Sequence, residues 1–330
     1  MSEKEIAVVT GASGFVGSHL VDLLLEKGYH VRCLLRKTSS RKWLEGKPIE
    51  IIDSGLMDKA GLRTAFTGAA YIYHVAGVVK SVDAEGYFKG NVETTRSIME
   101  TAIEFKDSIK RIVVVSSLTA TGPSPDGNPV TEETPCNPIT TYGHSKLEGE
   151  RVAQSYMDRL PVTICRAPAV YGDRDTEILI FFKTYASGLM TEIGFDNKVV
   201  SLIHAVDLVN GFYLAAISEK AKGQIYFVGS EEYYTWPQIG SLTGKILAKK
   251  AISLKLPHFV VYGVAAIAQV VASLQKKPAT LNLEKAKDIT RHAWTCSTQK
   301  LMRDTGYKQQ LNIEQGIKRT IDWYKKEGWL

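Results

Sequence analysis

The chain has 330 residues, 44% of them hydrophobic and 23% charged, with a formal net charge of +6. That is ordinary globular composition, long enough for one large domain or two of modest size, and it excludes a low-complexity or disulfide-scaffold protein. The basic residues fall in scattered pairs (Arg36-Lys37, Lys249-Lys250, Lys276-Lys277, Lys325-Lys326) with no aromatic-interleaved stripe, so nucleic acid is not an expected partner.

In chain order, β-branched runs alternate with amphipathic ones. Strands are expected at Ile6–Thr10, His30–Arg36, Ile49–Ile52, Tyr71–His74, Arg111–Ser116 and Val162–Arg166. Helices are expected between them at Phe15–Glu26, Lys59–Phe66, Tyr87–Phe105 and Thr140–Met157. Near-continuous apolar strands separated by helices imply a parallel sheet covered on both faces, the α/β doubly wound (Rossmann) architecture. After Gly172 the rhythm breaks. Residues 173–197 read as loop-rich, Gln224–Val228 as one more strand, and the remainder as helices at Trp236–Leu247, Pro257–Leu274, Leu283–Ala293, Thr298–Thr305 and Ile313–Lys326. The expected division is a dinucleotide-binding domain over 1–172, with a returning segment at 199–228, and a smaller, mainly helical C-terminal lobe over 173–198 and 229–330.

Four cysteines, Cys33, Cys136, Cys165 and Cys296, have no metal-ligand spacing, and no metal is expected. Cys33 and Cys165 lie in strand-like runs and read as buried thiols. The opening "MSEKEIAVVT" lacks a signal-peptide pattern, so the expected compartment is cytoplasmic. The apolar stretch Leu256–Lys277 approaches membrane-spanning length, but His258, Tyr262, Gln269 and Ser273 interrupt it. It reads as a buried or groove-lining helix, with weak membrane-surface association through 256–275 as the alternative.

Gly11, Gly14 and Gly17 stand between the first strand and the first helix. The first permits a tight turn, the second lets backbone approach a pyrophosphate, and the third lets the helix pack on the strand. The helix N-terminus then offers free N–H groups to the anion. The bland alternative is a glycine-rich turn without a ligand. Downstream, Tyr142 and Lys146 stand four apart in "TTYGHSKLEGE" and share a helix face. An ammonium beside a phenol favours the phenolate, and such a phenol can give or take a proton.

The stretches "TGASGFVGSHL", "VSSLTATG", "YGHSK" and "RAPAVYGDRD" resemble the extended short-chain dehydrogenase/reductase superfamily, the epimerase/dehydratase group. The resemblance covers nearly the whole chain, and the tail is most similar to the sterol/hydroxysteroid dehydrogenase and dihydroflavonol reductase branch. It implies Tyr142 as acid/base, Lys146 as holder of the nicotinamide ribose, and Ser117 as the hydrogen-bond partner of the reacting oxygen, with Ser116 its neighbour. It also implies Asn91 at the start of the helix beneath the site. The implied cofactor residues are Gly11, Ser13, Gly14, Phe15, Val16, Gly17, Arg36, Lys37, Leu56, Ala76, Gly77 and Pro168, together with Tyr142 and Lys146. Three departures from the family pattern stand out: Ser54-Gly55-Leu56 for "GDL", Thr94 for a glycine, and Ala169 and Asp173 where nucleotide-sugar members carry Asn and Pro.

The resulting expectation is an NADP(H)-dependent oxidoreductase, NAD(H) being the alternative cofactor, acting on a secondary alcohol or ketone of a fairly apolar small molecule. A nucleotide-sugar epimerase or dehydratase is the second reading, and a non-catalytic dinucleotide-binding protein the third. NADP(H) is favoured because Leu35, where a ribose-binding carboxylate would stand, offers neither acceptor nor repulsion, and Arg36 follows it. A monomer or homodimer is expected.

Overall fold

The computed structural model describes residues 4–275, 278–279 and 281–330. The first three residues and the Lys276-Lys277 pair lie outside them. Strand β1 (Ile6–Thr10) runs into helix α1 (Phe15–Glu26), and β2 (His30–Leu35) and β3 (Ile49–Asp53) follow. Next come α2 (Lys59–Phe66), β4 (Ala69–His74), α3 (Ala84–Phe88), a π turn at Lys89–Glu93, and α4 (Thr94–Ala102). Then β5 (Arg111–Ser117), α5 (Thr141–Gln154) and β6 (Val162–Ala167) close the alternating half. Beyond it lie β7 (Ala169–Tyr171), α6 (Leu179–Ala186), β8 (Leu189–Ile193), β9 (Val199–Val200), β10 (Leu202–His204), α7 (Ala205–Ile217) and β11 (Ile225–Phe227). The chain ends with β12 (Tyr234–Thr235), α8 (Trp236–Leu247), β13 (Ile252–Leu256), α9 (His258–Leu274), α10 (Leu283–Ile289), β14 (Ala293–Trp294), α11 (Gln299–Thr305) and α12 (Ile313–Lys326).

Seven strands form one parallel sheet in the order β11-β6-β5-β4-β1-β2-β3. The direction of winding reverses between β1 and β4, which opens a crevice at their carboxyl ends. Alternate residues of each strand feed two cores. Val9 and Cys33 face α1 and α7, while Val8, Ile72 and Ile112 face α2, α4 and α5. Leu20, Val21 and Leu24 of α1 are fully buried, each contributing about 1.5–3 kcal/mol. A third core, with Tyr171, Phe182, Ile239, Ile317 and Tyr324, holds the C-terminal lobe.

The lobe is mainly helical, with two small sheets: β13 beside β8, and β12-β9-β14. The segment 173–197, read as loop, contains α6 and β8. Asp175 fixes the turn that leads into α6 by accepting from Glu177 N and Ile178 N, and β8 finds its partner some sixty residues away, so no local pattern announces it. The expected continuous helix Tyr87–Phe105 is broken by the π turn. There Asn91 turns inward and hydrogen-bonds the loop after β4, accepting from Val78 N at 2.7 Å and donating to Val78 O at 3.0 Å. Inserted turns of this kind often mark functional sites.

The expectation for Leu256–Lys277 is corrected. Only Val261 and Ala265 of α9 are buried, whereas Ile267 is 68% and Leu274 81% exposed. The helix packs its inner face on α10, Leu281 and the adjacent ends of β8 and β13, and among the described residues the apolar side chains of its other face stay exposed. Among the described residues, no helix is long and apolar enough to cross a membrane.

Candidate active site

A cleft of about 1080 Å³ lies between the carboxyl ends of the sheet strands and the C-terminal lobe. Its floor is the loop after β1. Gly11 has φ +71°, and a Cβ there would stand 2.7 Å from Ala76 N. A Cβ on Gly17 would stand 2.1 Å from Gly11 O, so only glycine lets α1 start so close to β1. Gly14 caps α1 without any side-chain hydrogen bond, which leaves the helix N-terminus open toward the cleft. Ser13, Gly14, Phe15, Val16 and Gly17 line it, joined by Leu56, Ala76, Gly77 and Pro168. This backbone cradle at a positive helix end fits the pyrophosphate of a dinucleotide.

His74 underlies the floor as a structural post. Its ring nitrogens bond Thr10 Oγ1 at 2.9 Å and Thr95 Oγ1 at 3.1 Å, and Thr10 Oγ1 accepts from Ala76 N. Burial lowers its pKa to about 3, and the Lys146 ammonium adds to the effect. The ring is therefore neutral.

The structure brings Ser117, Tyr142 and Lys146 together on the cleft wall. Ser117 ends β5. Tyr142 and Lys146 share the face of α5, which Thr140 caps by accepting from Gly143 N at 3.1 Å. Burial pushes the Tyr142 phenol up to about 12, and the Ser117 hydroxyl beside it pulls it back in part. Ser117, rather than Ser116, is thus the serine at the phenol. Burial lowers Lys146 to about 8, opposed by the Glu150 carboxylate one turn along. Lys146 Nζ donates to Val115 O at 2.8 Å. The expected ammonium-to-phenol contact is accordingly replaced by an anchor on the end of β5.

Two expected residues stand off the cleft. Asn91 is only 3% exposed, and its amide also donates to Ser145 Oγ at 2.9 Å, whose hydroxyl donates to Tyr142 O. It ties the loop over the cofactor path to the helix carrying Tyr142 and lines no part of the cleft. Lys37 is exposed in the turn after β2 and lines no part of it either. Arg36 and Ser39 do line it, and Arg36 forms no ion pair among the described residues. Asp53, which pairs with Leu35 across the sheet, is held by Arg41 at 2.5 Å.

The far wall was not legible in the sequence. Asn282, Glu284, Lys285 and Asp288, on or beside α10, face the cleft. Glu284 Oε1 accepts from Thr141 N at 2.8 Å and from Thr141 Oγ1 at 2.7 Å, so the lobe adds a carboxylate at the N-terminus of α5. Asp288 raises the Tyr142 phenol slightly. Tyr87 stacks obliquely on Tyr142 with ring centroids 6.2 Å apart. Lys80 and Glu177 form a 2.5 Å ion pair between two cleft-lining loops. Sequence spacing holds no signal for Glu284, which lies 143 residues from Thr141.

The departures near residue 170 acquire a physical reason. Asp173 accepts from Arg319 of α12 through its carboxylate and from His19 of α1 through its carbonyl, so it ties the loop to both lobes. Ala169 is exposed in the cleft and offers it only a methyl group.

A parallel sheet with a glycine cradle at its switch point, and a Ser, a Tyr and a Lys on one wall, defines a dinucleotide-binding fold of the short-chain dehydrogenase/reductase type. The model of the NAD dependent epimerase/dehydratase family matches residues 7–229, and the chain belongs to that family, within the extended short-chain dehydrogenases/reductases. It is 27% identical over 328 residues to a ceramide reductase of Caulobacter vibrioides, covering 99% of this chain and 96% of that protein. It is 29% identical over 235 residues to a decarboxylating sterol-4-alpha-carboxylate 3-dehydrogenase of Dictyostelium discoideum, covering 66% and 69%. In fold it is similar to the UDP-glucuronic acid 4-epimerase of Bacillus cereus solved with UDP-glucuronic acid and NAD. There the TM-score is 0.78 at 21% identity, over 98% of this chain and 99% of that one.

Proposed function

We propose that this chain is an NADP(H)-dependent oxidoreductase that interconverts a secondary alcohol and a ketone on a largely apolar molecule. The observation that carries it is the meeting of Ser117, Tyr142 and Lys146 on one wall of a cleft whose floor is the glycine cradle. In this reading a bound nicotinamide supplies the carbon that gives or takes the hydride. Gly11 to Gly17 and the open end of α1 hold the pyrophosphate, and Ala76 and Gly77 flank the adenosine and ribose path. Lys146 holds the nicotinamide ribose from its anchor on Val115 O. Ser117 donates to the reacting oxygen. With its pKa near 12, Tyr142 is protonated at neutral pH, the state needed to give a proton to a carbonyl oxygen. In the oxidative direction it takes that proton back. Arg36 favours a 2′-phosphate through its planar donor fork, and Leu35 presents no carboxylate to repel it.

The substrate class is supported by the cleft wall, where Val78, Val79, Pro168, Ala169 and Ile178 offer apolar surface. It is supported also by the ceramide and sterol carboxylate in the names of the two relatives. The test is the purified protein with NADPH against ketosteroids, ketosphingoid lipids, flavonoid ketones, simple aldehydes and nucleotide sugars, following the absorbance of the reduced nicotinamide. Stoichiometric cofactor consumption with an apolar ketone, and loss of about 100- to 10,000-fold in kcat for Tyr142→Phe, are expected. Epimerisation of a nucleotide sugar without net cofactor oxidation would overturn the reading.

A further inference from the structure

Helix α9 has two faces, and among the described residues only one is packed against the rest of the fold. Its inner face, Val261 and Ala265, packs on Ala286 of α10. Counted at about 100° per residue, Phe259, Val264, Ile267, Val270, Val271 and Leu274 fall in an opposite arc of about 140°. These side chains are 47–81% exposed. No Asp, Glu, Lys or Arg occurs within the helix. A bare apolar arc of this width is more than scattered surface hydrophobes and marks a site of interaction.

The charge around it selects the occupant. From Lys249 to Leu283 the sequence holds five lysines and no carboxylate. Lys249, Lys250 and Lys255 are all exposed just ahead of the helix. An apolar helix face flanked by lysines matches the acyl boundary and anionic headgroups of a lipid surface. A second copy of this chain would instead bring like charge against like. We propose that α9 lies in the interface of an anionic bilayer, its outer face in the acyl boundary and Lys249, Lys250 and Lys255 at the headgroups. The position has a consequence for the cleft. α10, which covers the inner face of α9, is the element that supplies Glu284, Lys285 and Asp288 to the cleft wall. The docked helix thus sets the cleft wall beside the membrane, where an apolar substrate is dissolved. That second step rests on the proposed function, and the docking itself does not.

The test is co-sedimentation of the full chain with vesicles of phosphatidylcholine alone and of phosphatidylcholine with phosphatidylglycerol. The protein is expected to pellet with the anionic vesicles, less with the neutral ones, and to be partly released by salt. Each exposed Ile or Val that enters the interface contributes a factor of about ten, so Ile267→Asp with Val270→Asp lowers the partition coefficient by about a hundredfold. Circular dichroism, the thermal midpoint and NADPH titration of this variant are expected to match the parent, since neither residue lines the cleft. Three outcomes overturn the proposal. The parent stays in the supernatant with both vesicles; the double variant pellets as the parent does; or the parent is a dimer that the double substitution dissociates, with no vesicle capture.

Discussion

At the scale of the residue, the cofactor preference comes down to Leu35 and Arg36. Arg36 stands where β2 ends, lines the cleft and forms no ion pair among the described residues. A hydrogen bond to a charged group contributes about 1.5–3 kcal/mol, so Arg36→Ala is expected to weaken NADPH roughly ten- to a hundredfold. NADH affinity should stay nearly unchanged, and adding Leu35→Asp should invert the preference. Titrations of the two cofactors against the three proteins measure this, and tighter binding of NADH by the parent would remove the basis for the claim. Lys146 is a second residue whose environment has a measurable cost. Its pKa is lowered to about 8 by burial, so the ammonium is held at neutral pH in a place that disfavours it. Lys146→Met keeps the stem and removes the charge. We expect it to raise folding stability by about 1–2 kcal/mol while abolishing turnover, a trade common at sites built for chemistry. Denaturant melts at neutral pH read the gain, and a loss of stability would contradict the burial argument.

At the scale of the element, α5 is fixed from both ends of the chain. Thr140 supplies its cap from the adjoining loop, and Glu284 adds a carboxylate from the lobe. Negative charge at a helix N-terminus is favourable, and a lost cap costs about 0.5–2 kcal/mol. Glu284→Ala should therefore loosen the first turn of α5, where Tyr142 sits, and lower kcat several-fold with little change in the Kd of the cofactor. Glu284→Gln keeps an acceptor and should recover most of the rate. If both variants lost the same activity, the carboxylate would be acting through its charge on the cleft rather than through Thr141. Legibility at this scale follows locality. The strands β1 to β6 and helices α1, α2, α8 and α12 are written in short periodic patterns with their own caps, such as the Thr235/Gln238 and Asn312/Gln315 capping boxes. The π turn is not, because Asn91 leaves regular helix only to meet Val78 and Ser145, which are brought there by other elements.

At the scale of the whole molecule, two buried histidines link stability to pH. His74 joins β4 to β1 and α4, and His204 caps α7 by accepting from Val206 N. Burial lowers both to about 3. In the unfolded chain each titrates near the ordinary histidine value of about 6.5. Below that pH the unfolded state binds more protons, so stability is full above about 6.5 and falls as pH drops toward 3. By pH 5 each histidine removes about 2 kcal/mol. Urea midpoints measured from pH 7.5 to 4.5 should decline, and His19, likewise buried with its pKa lowered by burial, steepens the fall. A flat profile over that range would show that the rings are protonated in the folded state.

The sequence by itself determined the sheet, the cradle and the three polar residues of the wall. Each is written in a local pattern, even where the contacts it makes are distant: a glycine spacing that lets α1 start on β1, a four-residue repeat on α5, a strand that ends in Ser117. Tertiary structure decided the rest. It withdrew Asn91 and Lys37 from the cleft, moved the Lys146 ammonium from the phenol to Val115 O, and brought Glu284 and Asp288 in from α10. It also turned the apolar stretch at 256–275 outward. Hydropathy records that such residues leave water, but which surface receives them depends on the elements packed alongside, and here α10, Leu281 and the ends of β8 and β13 receive one face of the helix.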